Sequence, residues 1–259
     1  MNLNRIFAVS NNSFREVVRD RILYIIGFYT VILAIAINLL PEIAAATEDK
    51  MFLDLGLAAM SSLSLIIAVF VGTGLISKEI EKKTILMLIA KPVSRNEFII
   101  GKYLGLSTVL TLLVTAMSII YLIFLEVNNI SYSATSIAIN AIFLILQLSL
   151  ISAIAITFGV FTGSILATAL TFAVYLMGNI TQDLLNLARI SENPGLEQIT
   201  QGLYLVLPDL SRLDLKNEAA YGLSALPDTT TLITNASYSV LYSAMLLAIA
   251  AFIFSQKEF

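Results

Sequence analysis

The sequence predicts an all-α polytopic membrane protein with six transmembrane helices, folded as a single transmembrane domain over residues 1–259. Composition is the first observation behind this fold class. Hydrophobic residues make up 58% of the chain, charged residues only 13%, and the mean hydropathy is +0.89. Soluble domains have roughly 45–50% apolar and about 25% charged residues. The second observation is a series of six apolar runs, each close to the roughly 20 residues that a helix needs to cross a bilayer.

The six predicted spans cover residues 23–40, 55–76, 103–125, 137–158, 164–180 and 232–254. Pro41 is expected to end the first span, because proline lacks the N–H group that continues a helix. An uncharged turn at residues 159–163 separates the fourth span from the fifth. If that turn lies inside one bent or re-entrant segment, the number of spans falls to five.

The distribution of cations predicts which side of the membrane each loop faces. Cytoplasmic loops carry the excess of Lys and Arg, so the more basic side should be cytoplasmic and should hold both termini. Eleven cations fall on that side and four on the other. The cytoplasmic set is Arg5, Arg15, Arg19, Arg21, Lys78, Lys82, Lys83, Lys91, Arg95, Lys102 and Lys257, and the opposite set is Lys50, Arg189, Arg212 and Lys216.

The N-terminal segment is predicted to form a short helix over residues 13–22. Ser13 and Glu16 form an S-x-x-E pattern typical of a helix start. Apolar residues recur on one face of this segment, so the helix is expected to rest in the cytoplasmic membrane interface. A plain extension of the first span is the alternative. No small-residue cleavage site follows a short hydrophobic stretch, so we expect the first span to remain in the mature protein.

The loop between the second and third predicted spans holds six of the cations. Glu79 precedes Lys83 by four residues, a spacing that favours a helix. That helix should stop near Pro92, because the residue before proline is pushed out of the helical region. Ser94 and Glu97 form a capping box that predicts a new helix start. These features predict a rigid two-helix element; the simpler interpretation is a charged loop that only fixes orientation.

The residue types that the chain lacks exclude several kinds of chemistry. There is no histidine and no cysteine, which removes His-based catalysis, thiolate nucleophiles and the usual zinc ligands. No charged residue lies near the centre of a predicted span, where ion-coupled transporters and pumps place ionisable groups. We therefore expect no catalytic, cofactor-binding or metal-binding residue, and an intramembrane enzyme is disfavoured.

The chain also lacks the loop that binds nucleotide phosphates. A P-loop needs G-x-x-x-x-G-K-[ST], yet the only Gly-Lys pair, Gly101-Lys102, is followed by Tyr103. Any uphill transport would therefore draw its energy from another protein. The net charge of −3 gives no indication of nucleic-acid binding.

Residues 181–231 are predicted to form an extracytoplasmic segment. Residues 183–189 are candidates for an extension of the fifth helix. Residues 196–207 carry apolar side chains at helical spacing, which predicts a short helix along the outer interface or across the mouth of a pathway. The segment holds seven acidic residues and three cations. A solvated acidic face is favoured over a cation or substrate site.

Small residues recur four positions apart at 64, 68 and 72, at 101 and 105, and at 159 and 163. This spacing lets two helices approach closely in lipid. We expect these contacts to lie within one protomer, and a dimer seam is the alternative.

The two-helix loop and its flanks resemble the type-2 ABC exporter permeases. The family pattern is close to E-x-E-x-x-T-x-x-x-L…P-[VIL]-S-R-x-x-[FI]…G-K, and the resemblance is greatest to the branch that includes the permease of multicopper-enzyme maturation systems. The remaining six-span layout is similar more loosely, and most of the specificity lies within residues 75–105. The matching positions are Glu79, Glu81, Thr84, Leu88, Pro92, Ser94, Arg95, Phe98, Gly101 and Lys102.

This resemblance implies a multi-pass permease of the bacterial inner membrane that forms a homodimer or a related heterodimer. It implies that a separate ATPase subunit, which binds ATP and Mg²⁺, docks on the cytoplasmic side. The docking element would be a coupling helix over residues 76–98, within a coupling region of residues 76–102. The residues implied to contact the ATPase are Lys78, Glu79, Glu81, Lys82, Thr84, Ile85, Leu88, Lys91, Pro92, Ser94 and Arg95.

An alternative function is mechanotransmission, in which the same coupling relays ATPase motion to an extracytoplasmic partner without moving a substrate. The uniformly apolar spans favour a hydrophobic or amphipathic cargo, or no cargo.

Overall fold

The computed structural model describes residues 2–20, 22–43, 47–81, 94–191 and 194–256. Within these ranges the chain is built from helices and short connections, with no strand. Six of the described helices are long and apolar enough to cross a membrane. The predicted all-α class and the six spans are confirmed. The five-span alternative is wrong, because a break at Thr162 and Gly163 separates two full-length helices.

Nine α-helices are described within these ranges. They are α1 (Leu3–Asp20), α2 (Ile22–Ile43), α3 (Glu48–Glu81), α4 (Arg95–Val127), α5 (Ala134–Phe161), α6 (Ser164–Ile190), α7 (Pro194–Val206), α8 (Lys216–Ala220) and α9 (Thr229–Gln256). Two 3₁₀ turns, Ser211–Leu213 and Leu223–Ala225, flank α8. The candidate spans are α2, α3, α4, α5, α6 and α9.

The centre of the bundle is α5, which packs against α3, α4, α6 and α9. In its most apolar stretch 67% of the residues are buried, against 22% in α2, α6 and α9. The outer helices therefore leave much of their apolar surface exposed on the outside of the bundle. Hydroxyl groups on α5 donate to the carbonyl four residues earlier, Ser152 Oγ to Leu148 at 2.8 Å and Thr157 Oγ1 to Ala153 at 2.7 Å. Polar atoms are thus satisfied within the helix, as a membrane interior requires.

The helices alternate in direction, and this gives the bundle two ends of different character. The basic end is where α3 finishes at Glu81, α4 begins at Arg95 and α9 finishes at Gln256. The acidic end is where α2 finishes, α4 finishes and residues 194–228 lie. The contact of Arg95 with the last turn of α9 supports the first grouping. The second is supported by Lys50, near the start of α3, whose Nζ lies 6.0 Å from the centre of the Tyr221 ring. α1 begins beside Glu97, so the start of the first described helix and the end of the last one both lie at the basic end.

The N-terminal helix starts ten residues earlier than the sequence predicts. The expected start at Ser13 is wrong, because Ser13 lies in the middle of α1 and is fully buried. The reason is tertiary: one face of the segment, with Ile6 and Val17, is buried against the bundle. Burial of an apolar face stabilises a helix more than a local cap does.

Pro41 does not end the first span. α2 continues to Ile43 with Pro41 inside it. Proline removes one hydrogen bond to the carbonyl four residues earlier, and α2 ends only two residues later, so little regular bonding is lost. The suggested extension of the fifth helix is confirmed, since α6 runs to Ile190. The short helix predicted at residues 196–207 is also confirmed, as α7.

Candidate coupling site at the basic end of the bundle

Five of the eleven predicted coupling residues fall within the described part of the chain. Glu79, Ser94 and Arg95 are described with their side chains, and Lys78 and Glu81 are placed as residues of the last turn of α3. The break expected at Pro92 lies outside the described residues. So do the remaining predicted contacts, Lys82, Thr84, Ile85, Leu88, Lys91 and Pro92.

The start of α4 is a capping box, as the sequence predicts. Ser94 has extended backbone, with φ −73° and ψ 153°, and its Oγ accepts a hydrogen bond from the Glu97 N–H at 3.3 Å. Glu97 Oε2 in turn accepts from the Ser94 N–H at 3.0 Å. This reciprocal pair satisfies two N–H groups that a helix start leaves without partners. Residues 94–97 therefore fix the direction in which the chain enters α4.

Glu97 also holds the beginning of α1. Its Oε1 accepts from the Asn2 N–H at 2.6 Å, and only 3% of Glu97 is exposed. A carboxylate at a helix N-terminus is stabilised by the partial positive charge there. One buried carboxylate thus caps two helices, and α1 and α4 begin at the same point of the basic end.

Arg95 contacts the end of α9 rather than facing open solution. Its Nη1 donates to the carbonyls of Phe254 at 2.9 Å and Ser255 at 2.8 Å. A cation on the last carbonyls of a helix complements the negative end of its dipole. The rings of Phe98 and Phe254 stack next to this contact, with centroids 5.9 Å apart. α4 and α9 are therefore joined by both charge and an aromatic pair.

Glu79 points into the bundle and pairs with Lys102. The Lys102 Nζ lies 2.6 Å from Glu79 Oε1 and 3.4 Å from Glu16 Oε2. Lys102 is 2% exposed, while the side chains of Glu79 and Glu16 are 24% and 53% exposed. The ammonium also sits 5.7 Å from the centre of the Phe98 ring. This cluster connects α1, α3 and α4.

α1 lies against α4 at two glycines. A Cβ atom at Gly101 would come within 2.7 Å of Val9 Cβ, and one at Gly105 within 2.7 Å of the Ser10 carbonyl oxygen. Any larger residue would push α1 outward, so these glycines set the distance between the two helices.

A model for the ABC-2 family transporter proteins matches residues 7–259 of the chain. The chain belongs to this family. No match was found among curated proteins. As an ABC-2 family member, the protein is a multi-pass membrane protein and a permease subunit of an ABC transporter. Membership of this family implies a partner ATP-binding subunit.

The other small-residue contacts of this ABC-2 permease also lie within the protomer. A Cβ at Gly72 would meet Ala155 Cβ at 2.9 Å, and one at Gly159 would meet the Thr73 carbonyl oxygen at 3.0 Å. α3 and α5 therefore approach closely along this seam. The expected use of small residues within one protomer is confirmed for these positions.

The ionic part of the basic end was not predicted from the sequence. The sequence predicts a close helix contact at Gly101 and a helix start that includes Glu16, but no ion pair for either Glu16 or Lys102. Nothing in the sequence pairs Lys102 with Glu16, which is 86 residues away. The one available signal was a lysine placed inside an otherwise apolar helix, because a buried lysine almost always has a charged partner.

Proposed function

We propose that this permease is driven by a separate ATPase subunit that docks at the basic end, on a coupling helix within residues 76–98. The supporting observation is the linked cluster at that end, where α1, α3, α4 and α9 meet through Glu79, Lys102, Glu97 and Arg95. A displacement of residues 76–98 by the docked ATPase would therefore act on four helices together. ATP and Mg²⁺ would be bound by the partner, since this sequence has no P-loop.

The length of α3 suits this role. It runs without interruption for 34 residues, from Glu48 at the acidic end to Glu81 at the basic end. A displacement of its last turn would therefore act on the whole helix. ATP binding shifts the membrane conformation only through contacts that differ between the two states. A continuous helix such as α3, with an ion pair to its neighbours, moves as one unit and changes those contacts when it moves. A flexible loop would bend instead and would not transmit the movement.

The geometry divides the proposed contact residues into two groups. Glu79, Ser94 and Arg95 make internal contacts, so we assign them to the support of the coupling helix. The direct ATPase contacts are then proposed for Lys78, Glu81, Lys82, Thr84, Ile85, Leu88, Lys91 and Pro92.

Co-expression with the candidate ATPase tests this proposal. Glu81→Arg is expected to reduce co-purification of the two subunits, and it avoids the ion pair that Glu79→Arg would disrupt. Glu42→Arg is the matched control, because Glu42 is an exposed acid at the acidic end. Membrane insertion is measured for both variants. Lys82→Glu and Lys91→Glu are tested in the same way. If all three charge-reversal variants assemble with the ATPase and support normal ATP hydrolysis, residues 76–98 are not the docking site.

We further propose that the chain acts as a homodimer or related heterodimer in the bacterial inner membrane with both termini cytoplasmic, in agreement with the cation distribution. Placement in the multicopper-maturation branch remains part of this proposal and rests on the motif at residues 79–102. A structure of the purified complex with and without nucleotide tests the subunit number and the orientation together.

Mechanotransmission is the second candidate, and the exposed apolar face of α7 favours it. Ile199, Leu205 and Val206 are 64%, 82% and 75% exposed at the acidic end. Replacing all three with serine should leave ATPase docking intact but remove the output if a partner binds this face. ATP-dependent movement of a lipid-like solute in reconstituted vesicles, unchanged in the triple variant, would contradict this candidate. Deleting residues 181–231 is unsuitable as a test, because Leu210 and Leu213 within them are buried.

A further inference from the structure

Lys102 is a buried cation that touches three helices. Its side chain is 3% exposed, and its ammonium contacts Glu79 near the end of α3, Glu16 near the end of α1 and the face of the Phe98 ring on its own helix. Taking an ammonium group out of water is costly unless it is paired. A carboxylate from each of two neighbouring helices supplies that pairing here.

The cluster around Lys102 lies between the two helices that flank the proposed docking segment. Glu79 lies two residues before the end of α3, where the proposed docking segment continues. Lys102 lies two turns into α4, on the far side of that segment. Glu16 belongs to α1, which is fixed to α4 by Glu97 and by the close contacts at Gly101 and Gly105. The ammonium therefore bridges α3, which leads into the docking segment, and α4, which follows it, together with α1 packed on α4.

We propose that Lys102 is a positioning residue that transmits displacement of the end of α3 to α4 and α1. This inference rests on the proposed function, because it assigns the internal contact through which the ATPase would act. If the end of α3 moves, Glu79 moves with it. Lys102 then either follows, carrying α4 and α1, or loses its 2.6 Å partner and keeps only the longer, 3.4 Å contact with the half-exposed Glu16 carboxylate, which is costly for a buried charge.

An ion pair serves this purpose in a way that apolar contact does not. Replacing a buried ion pair by apolar side chains is often neutral or stabilising, so stability alone does not explain a charge at this position. The ion pair favours the arrangement in which α1, α3 and α4 are joined, and an arrangement in which α3 has moved away from Lys102 is higher in free energy. Two arrangements with different energies are what coupling between distant sites requires.

The test uses the permease co-purified with its ATPase and placed in lipid nanodiscs. The measured quantity is the change in ATP hydrolysis that the permease causes, given as the rate of the complex relative to that of the ATPase alone. Lys102→Met is expected to retain the ATPase but to reduce this change by about twofold to thirtyfold, the range found for residues that carry coupling. Lys102→Arg should keep most of it, because it retains the charge. Lys216→Met is the matched control, since Lys216 forms an ion pair with Asp214 at the acidic end.

The double variant Lys102→Met, Glu79→Gln separates transmission from simple support. It removes both charges of the close pair, so it should recover thermal stability relative to Lys102→Met. Transmission predicts that the change in ATP hydrolysis stays reduced. Recovery of that change together with stability would overturn the proposal, and so would a wild-type response of Lys102→Met.

A measurement on the permease alone distinguishes failure of this proposal from failure of the proposed function. Lys102→Met should increase amide hydrogen exchange both in α1 and in the last turn of α3, whereas Lys216→Met should not. Unchanged exchange in α1 would overturn the bridging role. If no ATPase binds the wild-type permease, the proposed function fails, while the exchange result still decides whether Lys102 joins the helices.

Discussion

The two ends of the bundle use polar contacts in different ways. At the basic end the contacts join helices that are distant in sequence: Arg95 bonds to residues 159 and 160 positions away, and Asn2 bonds to Glu97 across 95 positions. At the acidic end many contacts are local, such as those of Asp209 with Ser211 and Arg212. The basic end therefore ties helices directly to one another, whereas the acidic end joins them through one connecting segment.

That connecting segment, residues 207–215, is inserted among α5, α6 and α9. Leu210 is fully buried; its N–H donates to the Gly178 carbonyl at 3.1 Å, and its own carbonyl accepts from Gln147 at 3.4 Å. Gly178 is required by this approach, since a Cβ there would lie 2.6 Å from the Pro208 carbonyl oxygen. The segment is thus part of the core although it is a loop by sequence.

Asp209 organises the loop from within. It is 3% exposed and accepts hydrogen bonds from Gln182 Nε2 at 2.8 Å, Ser211 Oγ at 2.6 Å and Arg212 Nε at 2.8 Å. The bond to Asp209 raises the pKa of the Arg212 guanidinium, which therefore stays charged. A change at the acidic end should therefore open one segment, whereas a change at the basic end should loosen several helices.

The largest effect is expected from Asp209→Ala at the acidic end. The variant leaves three donors without their acceptor, and we expect a loss of about 3 kcal/mol, near the lower limit for breaking a buried ion pair because Arg212 keeps some access to water. Thermal unfolding in detergent measures the loss, and hydrogen exchange should localise it to residues 207–215. Asp228→Ala, which removes an exposed carboxylate that accepts from the Thr231 N–H at the start of α9, is the control and should cost much less. Equal exchange increases in α1 would contradict the contrast between the ends.

Gly105→Val at the basic end should follow. Its side chain would collide with the Ser10 carbonyl, and displacement of α1 should cost about 2 kcal/mol, as overpacking typically does. Limited proteolysis of α1 and the unfolding temperature measure the effect. Gly202→Val is the matched control, because no atom lies within 4 Å of a Cβ at Gly202. A stable Gly105→Val protein with α1 still protected would show that α1 is not held by this contact.

Glu97→Ala tests whether one carboxylate caps two helices. We expect a larger loss of unfolding free energy than for Ser94→Ala, which removes only a cap of α4 and should cost about 1 kcal/mol. The first variant should also increase exchange at the start of α1, and the second should not. If the two variants behave alike in both measurements, the bond from Asn2 contributes little.

Arg95→Met should give the smallest effect. Loss of the bonds to the last carbonyls of α9 should cost about 0.5–1 kcal/mol, because the guanidinium is partly exposed and interacts with a helix end. Exchange should rise in the last turn of α9. Ser255→Ala serves as the control, since Arg95 contacts the backbone carbonyl of that residue and not its side chain. A larger loss than that of Glu97→Ala would reverse the proposed order of the basic-end contacts.

The sequence predicted the features that arise from local or periodic patterns. The six spans follow from hydrophobic length, and the cap at Ser94 follows from two residues three positions apart. The same pattern at Ser13 predicted the wrong helix start, because burial of α1 against α4 stabilises a helix that begins ten residues earlier. The Lys102 cluster and the inserted loop around Leu210 were missed for a related reason: both depend on residues brought together only by the fold.

α3 has a further consequence that follows from its length alone. A helix of 34 residues extends for about 51 Å at 1.5 Å per residue. A bilayer with its head groups is about 40–45 Å thick. An upright α3 therefore exceeds the bilayer thickness by about 6–11 Å and emerges into water on at least one side. A subunit that binds an emerging end of this helix would reach it without displacing head groups.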